Sequence, residues 1–118
     1  MNEWNDISER DWLDVDMQSA VTDIQAAEDA VPGQRGYCRI VGAALKHVRE
    51  FATLSSRGEY TDPSVAPLAR RLESAAATFL EDVPLQSDGR PLIPAERVAE
   101  LLTGFRSTIE AFLAVEDA

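Results

Sequence analysis

Hydrophobic residues recur at steps of three and four positions along four segments of the chain, which is the spacing of one face of an α-helix. In the first segment the recurring residues are Leu13, Met17, Ala20, Val21, Ile24, Ala27 and Val31. They predict a first helix with Asp6 or Ser8 as its N-cap. Each candidate cap has an acidic residue three positions after it, Glu9 after Asp6 and Asp11 after Ser8, as in a capping box. The Pro-Gly pair at positions 32–33 predicts the end of this helix.

Two further helices are predicted in the middle of the chain. The second runs from about Arg35 to Ser56. Its apolar face consists of Tyr37, Ile40, Val41, Ala44, Leu45, Val48, Phe51 and Ala52. The third begins between Pro63 and Pro67, because a proline deeper in a helix would remove a backbone hydrogen bond, and it continues to Pro84. Its apolar face consists of Val65, Leu68, Leu72, Ala75, Ala76, Phe79 and Val83.

The longest connection is the segment 84–94. Its prolines and the pair Asp88-Gly89 exclude a helix there. The apolar residues Leu85, Leu92 and Ile93 predict that this Pro-rich loop is ordered and packs across an end of the folded chain, because packing removes their side chains from water.

The fourth helix is predicted to start at Pro94, with Glu96 in its first turn. Its apolar face consists of Val98, Leu101, Leu102, Phe105, Ile109, Phe112 and Leu113. Four amphipathic helices joined by short connections predict an all-α fold, a four-helix up-down antiparallel bundle. A crossover connection through residues 84–94 is the alternative. With 118 residues, the chain (1–118) is long enough to form a single helical domain with its own core.

The centre of that core is expected where the apolar faces of the last three helices meet. The residues expected there are Val48, Phe51, Leu72, Phe79, Phe105 and Ile109. Small residues at Gly42, Gly104 and 75–77 are expected to lie where helices cross, because a missing or short side chain lets two backbones approach closely.

Acidic and basic residues are distributed unevenly along the chain. There are 11 Lys and Arg residues against 21 Asp and Glu, a formal net charge of −10. Residues 1–31 contribute −8, with nine acidic residues against one basic, whereas residues 32–58 contribute +4, with five basic against one acidic. The acidic balance argues against a nucleic-acid-binding surface that covers the molecule, because phosphates would be repelled. The asymmetry bears on partners and not on fold.

Cysteine usage and the lack of long apolar runs bear on location. Cys38 is the only cysteine, so an internal disulfide is excluded. Together with the lack of an apolar run typical of a signal peptide, this favours the cytoplasm. No apolar stretch approaches the roughly 18 residues that span a bilayer, so no membrane association is expected.

His47 is the only histidine in the chain. Cys38 is nine residues away and does not share its helix face, so we expect no metal site and no cofactor. Histidine phosphotransfer domains carry a small residue one turn after their histidine, whereas this chain has Phe51 there. Helical ribonucleases of the HEPN type place an Arg and a His closer together than Arg39 and His47, which seven residues separate. We interpret His47 as a half-exposed residue on the flank of its helix, with no catalytic role.

No set of catalytic residues is recognisable in the sequence. There is no Ser/His/Asp set, no Gly-rich phosphate loop and no CxxC pair. Catalysis by carboxylates needs two acids that converge in a cleft, whereas acids such as Asp11, Asp14 and Asp29 lie on a predicted solvent face. We therefore predict that the protein is not an enzyme.

A group of cations on the polar side of the second helix is the first candidate binding site. We call it the basic ridge, and its members are Arg35, Arg39, Lys46 and Arg49. Clustered arginine suits carboxylates and phosphates, so the basic ridge is a candidate contact for an anionic partner. The alternative is internal, with the ridge complementing the acidic first or third helix.

Aromatic residues outside the core stripes form the second candidate site. Trp12 and Val15 make a short second apolar ridge on the first helix, and Trp4 lies in the N-terminal arm. This aromatic ridge either packs against the arm or is exposed to a partner. The second interpretation is attractive because Trp and Arg dominate interface energetics.

Together these features favour a non-enzymatic regulator that inhibits or sequesters another protein through a helix face. One alternative is an acidic, phage-type inhibitor of a bacterial defence complex, which the basic ridge disfavours because it interrupts a negative field. Another is a small helical subunit that contacts nucleic acid through its second helix, which the net charge disfavours. Self-association as a homodimer is left open.

In length, helical character and acidic composition, with ten arginines to one lysine, the chain resembles the small bacterial antiactivators of quorum sensing found in Pseudomonas. The resemblance covers the whole chain and rests on this general character. It implies a helical protein that binds the ligand-binding domain of a LuxR-type transcription factor and prevents its dimerisation or DNA binding. No site residues are carried over from it.

Overall fold

Four helices make up the regular structure in a computed structural model of the chain, which describes residues 8–54 and 62–115. They are α1 (Glu9–Asp29), α2 (Tyr37–Phe51), α3 (Ala66–Asp82) and α4 (Ala95–Leu113). Within the described residues the only β-type pairing is one isolated antiparallel bridge between Leu85 and Pro91. The all-α prediction is confirmed.

Each of the first two helices begins after a distinct N-cap residue: a serine for α1 and a left-handed glycine for α2. The hydroxyl oxygen of Ser8 accepts a hydrogen bond of 3.1 Å from the backbone N–H of Asp11, so Ser8 is the N-cap of α1. Gly36 caps α2 with φ of 87°, a left-handed conformation that favours glycine. Arg35 consequently lies in the preceding turn and not in α2, which corrects the predicted start. The helix α2 ends at Phe51, and the predicted end at Ser56 lies outside the described residues.

The starts of the last two helices agree with the prediction from proline. Pro67 lies in the first turn of α3, and Pro94 is the N-cap of α4. Asp62 does not cap α3 directly. Its carboxylate accepts hydrogen bonds from the backbone N–H of Ser64 (2.9 Å) and the Ser64 hydroxyl (2.8 Å), which hold the turn before the helix and lower the pKa of Asp62.

The helices are arranged in the order α1–α2–α3–α4 around the core, so that α4 closes the bundle against α1. The start of α1 lies beside the end of α4, where the Arg10 guanidinium donates hydrogen bonds to the carbonyl oxygens of Phe112 (3.4 Å) and Val115 (2.8 Å). The Glu9 carboxylate accepts a 2.6 Å bond from the Asp62 N–H, just before α3. Neighbours in sequence are thus neighbours in space and run antiparallel, which confirms the up-down bundle and makes a crossover unnecessary.

The core contains the residues that the apolar stripes predicted. All six expected central residues are buried: Val48, Phe51, Leu72, Phe79, Phe105 and Ile109. No polar or charged residue is buried among residues 8–54 and 62–115. Two predicted apolar contacts are wrong, because Val31 and Leu92 lie in connections between helices and are 61% and 63% exposed.

The predicted role of glycine at helix crossings is also wrong. Gly42 and Gly104 are exposed, and a Cβ placed on either would meet no atom within 4 Å. Of the three alanines, Ala76 alone is fully buried. None of the described helices combines the length with the apolar character needed to cross a membrane.

We expect Phe79→Ala or Phe105→Ala to lower the free energy of unfolding by about 3–5 kcal/mol, because each leaves a cavity in the core. The two rings contact each other across α3 and α4 with centroids 5.5 Å apart. Urea denaturation measures the loss, and the exposed Leu92→Ala is the control, expected to change the value by about 0.5 kcal/mol at most. Losses below about 1 kcal/mol for both Phe variants would contradict the assignment of the core.

Candidate interaction surface

The residues predicted to bind a partner are on the surface wherever the structure describes them. Trp12 and Val15 are 46% and 52% exposed. The members of the basic ridge are all exposed: Arg35, Arg39, Lys46 and Arg49. Trp4 and the arm that carries it lie outside the described residues, so packing of the arm against the aromatic ridge stays a prediction.

The aromatic ridge and the basic ridge lie at different heights along the bundle. A contact of 2.7 Å between His47 Nε2 and Asp23 Oδ2 marks a common level on the antiparallel helices α1 and α2. At 1.5 Å per residue, Trp12 lies about 16 Å from this level toward one end, and Arg39 lies about 12 Å toward the other. The two ridges are therefore separate features, with their far ends about 28 Å apart.

The basic ridge makes no short ion pair with the acidic helices within the described part of the chain. None of its four members lies within ion-pair distance of a described carboxylate. Other side chains contact the acidic residues of α1. Arg106 of α4 binds Glu28 at 3.0 Å, and His47 contacts Asp23. No short ion pair therefore supports the internal alternative for the basic ridge among these residues, and that alternative stays a hypothesis.

The segment 84–94 forms a short hairpin that is ordered, as predicted. Its hydrogen bonds run from the N–H of Leu92 to the carbonyl of Pro84 (2.9 Å) and from the N–H of Gln86 to the carbonyl of Arg90 (2.7 Å). The Asp88 carboxylate accepts bonds from the backbone N–H (3.0 Å) and Nε (2.7 Å) of Arg90, which lower the pKa of Asp88. This contact therefore stabilises the hairpin above the pKa of Asp88 and is lost as the pH falls through it.

The hairpin also lies along the outer side of α2, which the sequence did not predict. The Arg49 guanidinium rests against Gly89, whose φ is 87°. A Cβ at position 89 would lie 2.9 Å from Arg49 Cζ, which the flexible arginine side chain can relieve by moving, so it is the left-handed backbone conformation that favours glycine there. The pair Asp88-Gly89 signals a tight turn, but no local pattern connects it with a residue forty positions earlier.

A cleft of about 280 Å³ separates α2 from the hairpin. From α2 it is lined by Cys38, Val41, Gly42, Leu45, Lys46 and Arg49. From the hairpin and the start of α4 it is lined by Gln86, Gly89, Arg90, Pro91, Ile93 and Ala95. Sequence reasoning identified Lys46 and Arg49 but missed the remaining lining residues, because the helix and the hairpin meet only in the folded chain.

His47 of α2 contacts an aspartate of α1 and lies near an aromatic ring of its own helix. Its side chain is 23% exposed, its Nε2 atom pairs with Asp23, and its ring lies 6.4 Å from that of Phe51. Within the described residues, no three His, Cys, Asp or Glu side chains come together in a way that could hold a metal ion.

We expect His47→Gln to leave the fold and the binding of any partner unchanged, because a part-exposed pair contributes about 0–1 kcal/mol. Circular dichroism and urea denaturation check the fold. Incubation of the wild-type protein with a phosphorylated histidine kinase or response regulator should give no acid-labile phosphohistidine. Appearance of that product would assign His47 a catalytic role.

Comparison of the chain with protein-family models, with curated proteins and with solved structures gives no match.

Proposed function

We propose that the protein is a non-enzymatic regulator that binds another protein through its basic ridge. One observation carries this proposal: in a chain of net charge −10, the four cations of the ridge are exposed and have no carboxylate partner among the described residues. A local positive surface on an acidic protein attracts an acidic segment of a partner. The acidic remainder of the surface repels that segment when it approaches from other directions.

A few anchor residues would supply most of the binding energy. An exposed ion pair contributes about 0–1 kcal/mol, whereas a desolvated Arg or Trp anchor contributes about 2 kcal/mol or more. Arg49 and Lys46 line the cleft beside the hairpin, where a bound partner can desolvate an anchor residue. We therefore assign the main anchor to Arg49, with Lys46 beside it.

The aromatic ridge can belong to the same interface. A typical interface covers about 800 Å² on each partner, a patch roughly 30 Å across. That width matches the distance of about 28 Å between Trp12 and Arg39 along the α1–α2 pair. One partner that covers both helices would therefore contact the basic ridge at one end of the interface and the aromatic ridge at the other.

For the partner we propose a transcription factor of the LuxR type, which the resemblance to quorum-sensing antiactivators implies. In that role the protein would act in the cytoplasm as an antiactivator. It would bind the factor through the α1–α2 side and keep it from dimerising or from binding DNA.

Reversing charge on the basic ridge tests the proposal. We expect Arg39→Glu/Lys46→Glu to weaken binding about tenfold or more, because the variant removes two attractive charges and adds two repulsive ones. Arg70→Glu/Arg71→Glu is the matched control, since both residues are exposed on α3 and the change in net charge is the same. Tagged proteins are used to capture partners from the native host, partners are identified by mass spectrometry, and affinities are then measured with the purified partner.

A partner that binds both variants as it binds the wild type would contradict the proposal. A partner lost equally from both variants would show that net charge, and not the ridge, controls binding. If the molecule captured through the ridge is a nucleic acid, the subunit alternative holds instead.

The contribution of the aromatic ridge is tested separately. We expect Trp12→Ala to weaken partner binding about tenfold or more while circular dichroism stays unchanged, because an exposed Trp contributes as an anchor only when a partner covers it. Leu92→Ala removes a comparably exposed apolar side chain from the hairpin and is expected to bind normally. Normal binding by Trp12→Ala would exclude the aromatic ridge from the interface.

Exposed carboxylates of α1 are expected to affect mainly the rate of association. Asp11→Asn/Asp29→Asn should change the association rate at low salt and have little effect on the dissociation rate, because scattered charges act at a distance. Stopped-flow or surface-based kinetics at two ionic strengths measure both rates. If this variant abolishes binding while the ridge variants bind normally, the protein is an acidic mimic.

A further inference from the structure

The cleft between α2 and the hairpin has an apolar floor. Val41 and Leu45 form its base and are each only 2% exposed. Pro91, Ile93 and Ala95 enclose it from the hairpin and from the start of α4. Walls from three segments make the site concave, as small-molecule sites are, whereas a helix face that binds a protein is flat or convex.

The mouth of the cleft is cationic. Lys46 and Arg49 are exposed and have no carboxylate partner among the described residues, whereas Arg90 is paired with Asp88. Glu50 borders Lys46 and Arg49 in a neighbouring depression that does not share the apolar floor. A fork-shaped guanidinium beside an ammonium group suits a single carboxylate.

Two glycines keep this arrangement open. Gly42 lies in the wall formed by α2, where a Cβ would meet no atom within 4 Å, so a larger side chain would project into free space. Gly89 has no side chain between the hairpin and Arg49, so the guanidinium lies beside the hairpin at the mouth of the cleft.

We propose that this cleft binds a small amphipathic anion, a compound with an apolar body and one carboxylate head group. The apolar body lies on Val41 and Leu45, and the carboxylate is bound by Lys46 and Arg49. This goes beyond the proposed function, because the ligand is a small molecule and its binding needs no partner protein.

Compounds with the same body and different head groups test the proposal. The probe is 8-anilinonaphthalene-1-sulfonate, an apolar anion whose fluorescence rises in an apolar site, and the competitors are octanoate, octan-1-ol and octylammonium. We expect one probe site per chain, with octanoate displacing the probe about tenfold more strongly than octan-1-ol, and octylammonium weakest. Unchanged circular dichroism shows that the probe has bound the native fold.

Two matched substitutions locate the site. Gly42→Leu fills the cleft and is expected to lower the affinity for probe and octanoate about tenfold or more. Gly104→Leu is the control, because Gly104 is also an exposed helical glycine with open space around it, on α4. Both substitutions favour helix, so neither is expected to unfold the protein. Lys46→Gln/Arg49→Gln should weaken octanoate but not octan-1-ol, whereas Arg70→Gln/Arg71→Gln should weaken neither.

The only cysteine provides an independent readout, since Cys38 is exposed and lines the cleft. Octanoate should slow the alkylation of Cys38 by N-ethylmaleimide in the wild type and in Gly104→Leu, but not in Gly42→Leu. An anion that binds without protecting Cys38, and with equal affinity to Gly42→Leu, binds elsewhere and overturns the proposal.

The remaining outcomes separate this proposal from the proposed function. If neither probe nor octanoate binds the wild type, the small-ligand proposal is wrong. If in addition Gly42→Leu abolishes capture of the partner protein, the cleft receives a partner side chain and the proposed function stands. If octanoate binds as described but capture does not depend on the basic ridge, the proposed function fails and the ligand site stands.

Discussion

Burial of one apolar face on each of four helices is the interaction on which the rest of this structure depends. The apolar side chains of each helix are removed from water by packing against the other helices. Together they form one core that includes the contacting rings of Phe79 and Phe105. No residue classed as polar or charged is buried among the described residues. Every charged side chain described is therefore left at the surface or in the seams, where its partners decide the electrostatic character of each face.

A small set of polar side chains makes contacts in the seams between the helices. Arg10 reaches across the start of α1 to the last carbonyl groups of α4. Arg106 binds Glu28 and Glu110, and the hydrogen bond with Glu28 is the main cause of its raised pKa. His47 contacts Asp23. These contacts to α1 involve no member of the basic ridge, whose side chains are exposed on the outer side of α2.

The hairpin 84–94 changes a convex helix surface into a concave one. A helix alone presents its exposed side chains to water on all sides, and Lys46 and Arg49 would then be isolated charges. With the hairpin beside them, they stand at the edge of an apolar cleft, where the lower local polarity strengthens an interaction with an anion. Backbone hydrogen bonds from Leu92 to Pro84 and from Gln86 to Arg90 hold the hairpin in this geometry.

The sequence by itself determined the four helices, the prolines at the starts of α3 and α4 and the face that each helix buries, because these depend on residues within one or two turns of one another. It also located the cations of α2. Only the tertiary structure decided that Gly42 borders a cleft instead of a helix crossing, that Leu92 is exposed, and that Gly89 meets Arg49. Those outcomes depend on contacts between residues far apart in the chain, and helical periodicity carries no information about which surfaces such contacts will cover.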